Sequence, residues 1–353
     1  MYNFLKHYNI EKIREFLETR NKKVLVFDSD CDGLCSAVLV SKIFPGFEIL
    51  PKRGPRISPE FLQVLIRTKA ELFVFMDMAV DHERESLKKL MKELPEARIL
   101  IIDHHIPERN LNSGNIIHVN PVLFRDVYQP ASYVSYKLME RFDKAIKGFA
   151  WVSAMGCVAD YAAKDVADLY RECRKAYPGL IGKNPQKSRI KKGVEMLEAI
   201  ILIKGLEGAR KGFNFLLNSD KYKDLIGIKE LDKYLEKAKK EFNKALNQAE
   251  RGKEDIKASN LVIFEIRTKY GLASAISTYF SERYPDKTII VRKKSKDIWK
   301  LSVRNQSGKV NVGEIVKKCA KGIGSGGGHK RAAGAQIKEW GKFRERFVSE
   351  LIT

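Results

Sequence analysis

Three carboxylates stand at alternate positions in Asp28-Ser29-Asp30-Cys31-Asp32-Gly33, directly after the apolar run KVLVF. A second run, ELFVFMDM (71–78), carries Asp77, and a third, ARILIIDHH (97–105), ends in Asp103-His104-His105. Burying unpaired carboxylates costs far more than folding can spare, so acids gathered at strand ends call for cations. A set of Asp and His without thiolates suits Mg²⁺, Mn²⁺, Fe²⁺ or Zn²⁺ and leans to the harder ions. This many acids can hold two of them, and a metal pair is the machinery of phosphoester hydrolysis. Taken singly, each Asp reads as a helix N-cap and each His as a hydrogen-bonded core or surface residue. Asp30, Asp32, Asp77, His104 and His105 together read as a metal centre, because three strand tips would otherwise have to coincide by chance. On an extended strand adjacent side chains point to opposite faces, which predicts that one histidine ligates while the other faces substrate.

These residues need elements that bring them to one place. The runs at 23–30, 71–78, 97–105 and 115–121 are short, wholly apolar and separated by amphipathic stretches, the pattern of a parallel sheet covered on both faces. Such sheets bind ligands at the carboxyl ends of their strands. From about 150 to 252 the pattern is helical. Leu231, Leu235, Ala238, Phe242, Ala245 and Ala249 form a seam in alternating steps of four and three, which fits a helix packed on its own chain or a homo-oligomer contact. The basic loop GKNPQKSRIKK (182–192) reads as solvated or as phosphate-touching. Strand patterns return at 260–267, 287–294 and 298–305, followed by the glycine run GIGSGGGHKRAAGAQI (322–337). The fold class is α/β, with two α/β units joined by a helical connector and a cleft expected between them.

Composition narrows the partners. Of 353 residues, 66 are Lys or Arg against 44 Asp or Glu, a formal charge of +22, which points to a polyanion such as nucleic acid or to a densely charged surface. No stretch is long and apolar enough to span a bilayer and no secretion signal is visible, so a cytoplasmic protein without membrane partners is expected. Five cysteines without a CxxC pair suggest neither a disulfide framework nor a zinc ribbon.

DSDCDG (28–33), FMD (75–77), DHH (103–105), GCVAD (156–160) and GGGH (326–329) together resemble the ordered motifs of the DHH phosphoesterase superfamily. The closest pattern is its RecJ-like exonuclease branch with a C-terminal DHH-associated domain, in the short archaeal form that includes nucleases associated with the repair helicase Hef. The resemblance covers the chain apart from the helical connector. It implies a DHH catalytic domain at 1–165, a helical connector or insert at 166–257, and a DHH-associated substrate-binding domain at 258–353. It implies two Mn²⁺ ions, with Mg²⁺ as the other candidate, on Asp30, Asp32, Asp77, His104 and Asp160, with Asp77 bridging. Asp28 and Asp103 would support them, and His105 would meet the scissile phosphate or the leaving group. Asp160 has this role only by resemblance, since alone it reads as a cap or a surface acid. Pyrophosphatase and polyphosphatase members carry a histidine where this chain has Val26, which favours a nucleotide or nucleic-acid substrate. The DNA-binding OB-type module of bacterial RecJ has no room here.

In the second unit a glycine run lets backbone approach a ligand and aim amides at phosphate. Alone it more often marks a flexible loop. Beside SVRN (302–305) and AAGA (332–335) it resembles the associated domain's substrate motif, which implies Arg304, Gly326, Gly327, Gly328, His329 and Lys330 as substrate contacts. Tyr270 and Tyr279 read as core packing ahead of base stacking. The expected function is a metal-dependent exonuclease on single-stranded DNA or RNA, 3′→5′ by resemblance, releasing mononucleotides in repair or replication beside a repair helicase. A small-nucleotide or oligoribonucleotide phosphodiesterase and a non-catalytic repair scaffold are the alternatives. The charge favours a long polymer over a dinucleotide.

Overall fold

A computed structural model describes residues 2–352. The chain divides into two compact units, Met1–Leu235 and Glu236–Thr353.

The first unit is built on a five-stranded, all-parallel sheet in the order β2-β1-β3-β4-β5. Its strands are β1 (Lys23–Asp28), β2 (Phe47–Lys52), β3 (Leu72–Met76), β4 (Arg98–Ile102) and β5 (Ile116–Val119). Four of them coincide with the apolar runs, but each stops at or before its polar tip, so the chemistry sits on the loops. The fifth, β2, is a half-exposed edge strand containing Pro51, and its mixed composition hides it from a search for apolar runs. The order reverses between β2 and β3 around β1, which opens a crevice beyond the carboxyl ends of β1 and β3.

Helices α1 (Ile10–Leu17), α2 (Cys31–Ile43), α3 (Pro59–Thr68), α4 (Arg84–Glu93), α5 (Ala131–Phe142) and α6 (Ala150–Ala159) cover the sheet. The α2 helix is buried almost throughout, between α5, α6 and the strands. The helical region continues with α7 (Ala167–Ala176), α8 (Ile190–Lys204), α9 (Leu206–Leu217) and α10 (Tyr222–Ile226). It folds back on the sheet unit, where buried Phe213 of α9 stacks on Phe27 of β1 at 5.8 Å.

The long helix α11 (Lys229–Arg251) carries the heptad seam. Leu231, Leu235, Ala238, Ala245 and Ala249 are all buried, and Phe242 packs edge-on to Tyr279. The seam is therefore covered within the chain, as in the first of its two readings.

The second unit is a six-stranded mixed sheet, β10-β11-β9-β8-β7-β6. Its strands are β6 (Glu254–Ile256), β7 (Leu261–Glu265), β8 (Thr288–Ser295), β9 (Ile298–Asn305), β10 (Gly324–His329) and β11 (Ala332–Ile337). Helix α12 (Ala273–Arg283) packs on it through Phe280, stacked on Phe264 of β7 at 3.7 Å, and α13 (Val312–Ala320) and α14 (Trp340–Ile352) pack on it over Ile290, Val303, Val316, Phe343 and Phe347. The glycine run is thus an edge strand of a hairpin, not a loop. All five cysteines are free and buried. Among the described residues no helix is long and apolar enough to cross a membrane.

Candidate metal centre

The turn from β1 into α2 sets the first two ligand candidates. Asp30 is the N-cap of α2, its Oδ1 accepting from the Gly33 amide at 2.9 Å. The helix starts so close to the strand that a Cβ on Gly33 would stand 2.3 Å from the Asp28 carbonyl oxygen, hence the glycine of the motif. Asp32 reaches across to α5, whose N-cap, Pro130, offers no side-chain cap. Its Oδ2 accepts from the Ala131 amide at 2.7 Å and its Oδ1 from the Ser132 amide at 3.1 Å. The positive ends of two helices therefore offset charge on two of the acids. Both acids are helix caps, as each would be read singly, and both also stand in the cluster.

Asp77 follows β3 with φ +58°, a left-handed conformation unusual outside glycine and found where surrounding structure over-determines it. Its amide donates to the Ile102 carbonyl, which ties the tip of β3 to that of β4. Asp77 is 2% exposed, and its Oδ1 has no hydrogen-bond donor. His104 Nε2 lies 3.2 Å from that oxygen and 3.6 Å from Asp160 Oδ2. Asp160 ends α6, where a Cβ on Gly156 would meet Ser132 Oγ at 2.3 Å and Asp32 Oδ1 at 2.6 Å. The glycine of GCVAD thus lets α6 close over Asp32.

Two groups of ligand atoms result, Asp77-His104-His105 and Asp32-His104-Asp160, each with its atoms within 4.8 Å of one another. His104 belongs to both. Asp30 joins through a hydrogen bond with Asp77 and through the charges of Asp28 and Asp160. Asp28 lies at the edge, accepting from the Gly54 amide at 3.3 Å.

The two histidines do not point to opposite faces. Their rings lie 4.7 Å apart, and His105 Nδ1 is 3.9 Å from Asp77 Oδ1, because β4 ends at Ile102 and the pleat does not extend through the DHH residues. What separates the rings is bonding: His105 Nδ1 pairs with Asp103 at 2.8 Å, while His104 turns to Asp77 and Asp160.

Electrostatics follow from the packing. Burial, then the charge of Asp28, pushes Asp30 up to about 6; burial, then Asp160, pushes Asp32 up to about 7. Burial and the charges of Asp30 and Asp32 push Asp77 well above the usual carboxylate range. Burial would raise Asp103 too, but the hydrogen bond and charge of His105 outweigh it and leave that acid low. The same bond to Asp103 raises His105 to about 9 against the opposing effect of burial. His105 is thus an imidazolium at neutral pH, and its ring is half exposed.

Sequence reading missed three positioning residues. Tyr128 donates its hydroxyl to Asp160 Oδ2 at 2.7 Å and sets its ring edge-on to His104 at 5.6 Å. Buried Asn120 donates to the His105 carbonyl at 2.9 Å and is itself clasped by the Tyr8 hydroxyl. Asp81, 1% exposed, accepts from the amides of Glu108 and Arg109 and so fixes the loop after DHH. Asn120 follows an apolar run, NIIHV, which is the one signal that placed it near a strand tip.

In the second unit Arg304 on β9 donates to Ser274 Oγ at 2.8 Å. It pairs in register with Ala332 on β11, while Gly328 opposes Ala333 and His329 opposes Ala332. The glycines differ in cause. A Cβ on Gly324 would strike the Gln336 carbonyl at 2.1 Å, one on Gly326 would meet Val316 and Ala335 at 2.8 Å, and one on Gly328 the Ala332 carbonyl at 2.4 Å. At Gly327 nothing lies within 4 Å. His329 and Lys330 are exposed beside it.

The donor set fits a hard divalent cation: a buried, donorless carboxylate oxygen faces an imidazole nitrogen at 3.2 Å, amid acids that raise one another. Fold and cluster together define a doubly wound α/β protein with a strand-tip site able to hold metal, followed by a smaller α/β unit. The N-terminal domain model of the DHH family matches residues 22–163 and the DHHA1 domain model matches 258–352. The chain belongs to the DHH superfamily and is RecJ-like in fold. No curated protein matches it in sequence.

Among solved structures, one described as the DHH domain of a member of a family of ribosomal proteins is 18% identical, with TM-score 0.77, over 99% of this chain and 90% of that one. An exonuclease RecJ bound to manganese is 16% identical, with TM-score 0.71, over 97% and 93%. RecJ from Thermus thermophilus in complex with Mn²⁺ is 18% identical, with TM-score 0.72, over 97% of this chain and 54% of that chain.

Proposed function

We propose that the chain is a metal-dependent phosphodiesterase acting as an exonuclease on single-stranded DNA or RNA, removing mononucleotides from the 3′ end in repair or replication. The convergence of Asp30, Asp32, Asp77, His104 and Asp160 at the tips of β1, β3 and β4 and the end of α6 carries this reading. These five residues would hold two divalent ions, Mn²⁺ or Mg²⁺. Solved RecJ structures in complex with Mn²⁺ and with Mg²⁺ support the choice of ions. When bound, such ions supply Lewis acidity and lower the pKa of water.

The chain's own residues do the rest. Asp103 accepts a hydrogen bond from Nδ1–H of His105, which fixes the ring and leaves Nε2–H to donate. That charged donor neutralises a phosphate oxygen and can protonate the departing alkoxide. Asn120 holds the His105 backbone and Tyr128 holds Asp160, so both groups are placed before substrate arrives. In the second unit, Arg304, Gly326–Gly328, His329 and Lys330 would grip the nucleotide chain, the open backbone at Gly327 allowing the closest approach. The charge of +22 supports a polymer, which engages many cations at once. By the same reading residues 1–165 are the catalytic domain, 166–257 the helical insert and 258–353 the substrate-binding domain of a cytoplasmic enzyme serving a repair helicase.

Digestion of 5′-labelled and 3′-labelled single strands with Mn²⁺, beside a dinucleotide, tests it. Stepwise shortening of the 5′-labelled strand, with the dinucleotide cut more slowly, is expected. Immediate release of label from the 5′ end would reverse the polarity, and faster hydrolysis of the dinucleotide would make this a small-nucleotide phosphodiesterase.

A further inference from the structure

Away from the strand tips, the helical region of the first unit forms an open cavity of about 560 Å³ between the turn after α7, the start of α8 and α10. That size lies within the range of ordinary ligand pockets. Its apolar walls come from Tyr177, Leu180, Tyr222 and Ile226. The hydroxyl of Tyr222 donates to the Arg189 carbonyl at 2.7 Å and accepts from the Gly193 amide at 3.1 Å, and that of Tyr177 donates to the Gly148 carbonyl. Both phenols are thus bonded to backbone, leaving the walls ring and aliphatic carbon.

Arg189, Lys192, Lys221 and Lys223 also line the cavity, and no acidic side chain does. Lys192 has an exposed partner, Asp232, at 3.4 Å, a pair worth little in water. Carbon walls beside four cations select an anionic ligand with a bulky apolar anchor. A nucleic acid supplies the charge but would need an open aromatic face for its bases. Tyr222 is only 8% exposed and packs edge-on to Trp151 at 5.8 Å.

We propose that this cavity is a docking site for an acidic peptide segment of a partner protein, which inserts one aromatic or branched aliphatic side chain between Tyr177, Leu180, Tyr222 and Ile226 while its carboxylates meet the four cations. Apolar anchors in such pockets carry most of the affinity, and the charges set orientation and speed of encounter. This docking is independent of the reaction at the metal centre.

The test uses the full chain and fluorescein-labelled peptides of Asp and Glu with one central Phe, Leu or Trp, read by fluorescence anisotropy. At least one peptide is expected to saturate the protein, and its affinity should fall at least about tenfold when the central residue becomes Gly. Ala176→Trp, which fills the cavity from an exposed position, should weaken it as much, as should Lys221→Glu with Lys223→Glu. Metal-dependent hydrolysis should be unchanged in these variants. Absence of binding across the panel, indifference to the Gly replacement, indifference to Ala176→Trp, or full displacement by single-stranded DNA would each overturn the proposal; the last would make the cavity part of a nucleic-acid track.

Discussion

The strand tips of the first unit and the glycine strand of the second are built by opposite means. At the tips the fold adds: Asp32, Asp77 and Asp103 are buried, Asp30 and Asp32 cap helices, Asp77 stands at φ +58°, and a second layer of Asn120, Tyr128 and Tyr8 holds His105 and Asp160. On β10 the fold subtracts: side chains are removed until the backbone is the surface, and His329 and Lys330 stand exposed. Ligands to a cation must be held within fractions of an ångström, so they are over-determined. A grip on a repeating polymer, which the second unit is proposed to supply, needs close backbone approach, and the open face at Gly327 would allow it.

That contrast can be broken by exchange of effects. Asp77→Ala should abolish metal-dependent hydrolysis, a loss of at least about a thousandfold, with Mn²⁺ binding weakened in calorimetry. Undiminished cleavage would remove the strand-tip centre from the reaction. Next comes Gly156→Ala, whose Cβ would press on Ser132 and Asp32 within 2.6 Å; it should cost about 1–3 kcal/mol in urea unfolding and disturb the centre from behind. An unaltered midpoint would mean that α6 can slide freely and that Asp32 is not clamped.

Acidity offers a third lever. Asp30 and Asp32, ordinarily near 3.8, stand at about 6 and 7 in the folded chain without metal. Between 3.8 and those values the folded state keeps protons that the unfolded chain has lost, so stability of the EDTA-treated protein falls as pH rises from about 4 to 7. Saturating Mn²⁺ competes for the same oxygens and should flatten or reverse the slope. Melting curves in EDTA that ignore pH across this window would show that the acids are not packed together.

Tyr128→Phe removes one hydrogen bond to a ligand and should weaken Mn²⁺ binding about tenfold while the fold holds. Unchanged affinity would assign Tyr128 to packing alone. The smallest effect is expected at Gly327→Ala, where nothing lies within 4 Å: stability within about 0.5 kcal/mol of the parent, but a raised KM on long single strands. If KM stays put, the open backbone of β10 is not the grip.

How much of this could be read from the residues alone varies with the distance over which each feature is decided. The parallel strands are written in short apolar runs, and the acids and histidines at their ends announce the site. Edge strand β2 was not legible, because its exposed face dilutes the apolar signal. The β10–β11 hairpin was not legible as strand either, since glycine and alanine carry little propensity, and only the neighbouring Val316 and the paired carbonyls explain the missing side chains. The closeness of the His104 and His105 rings departs from simple strand alternation, because the doublet lies on a loop that begins after Ile102. Tyr128 and Asn120 lie 32 residues from Asp160 and 15 from His105, and contacts made across such separations leave no local pattern.

Asp32 answers to two masters. It stands beside His104 and Asp160, and it also holds the first two amides of α5, an N-cap worth about 1 kcal/mol to the fold. Selection on folding alone would therefore preserve Asp32, and with it Gly156, in a descendant that had given up catalysis. Among the acids of this centre, Asp77 is the more truthful witness: its donorless Oδ1 caps no helix, so under the proposed function its replacement would be an early mark of a lineage that had lost metal-dependent hydrolysis.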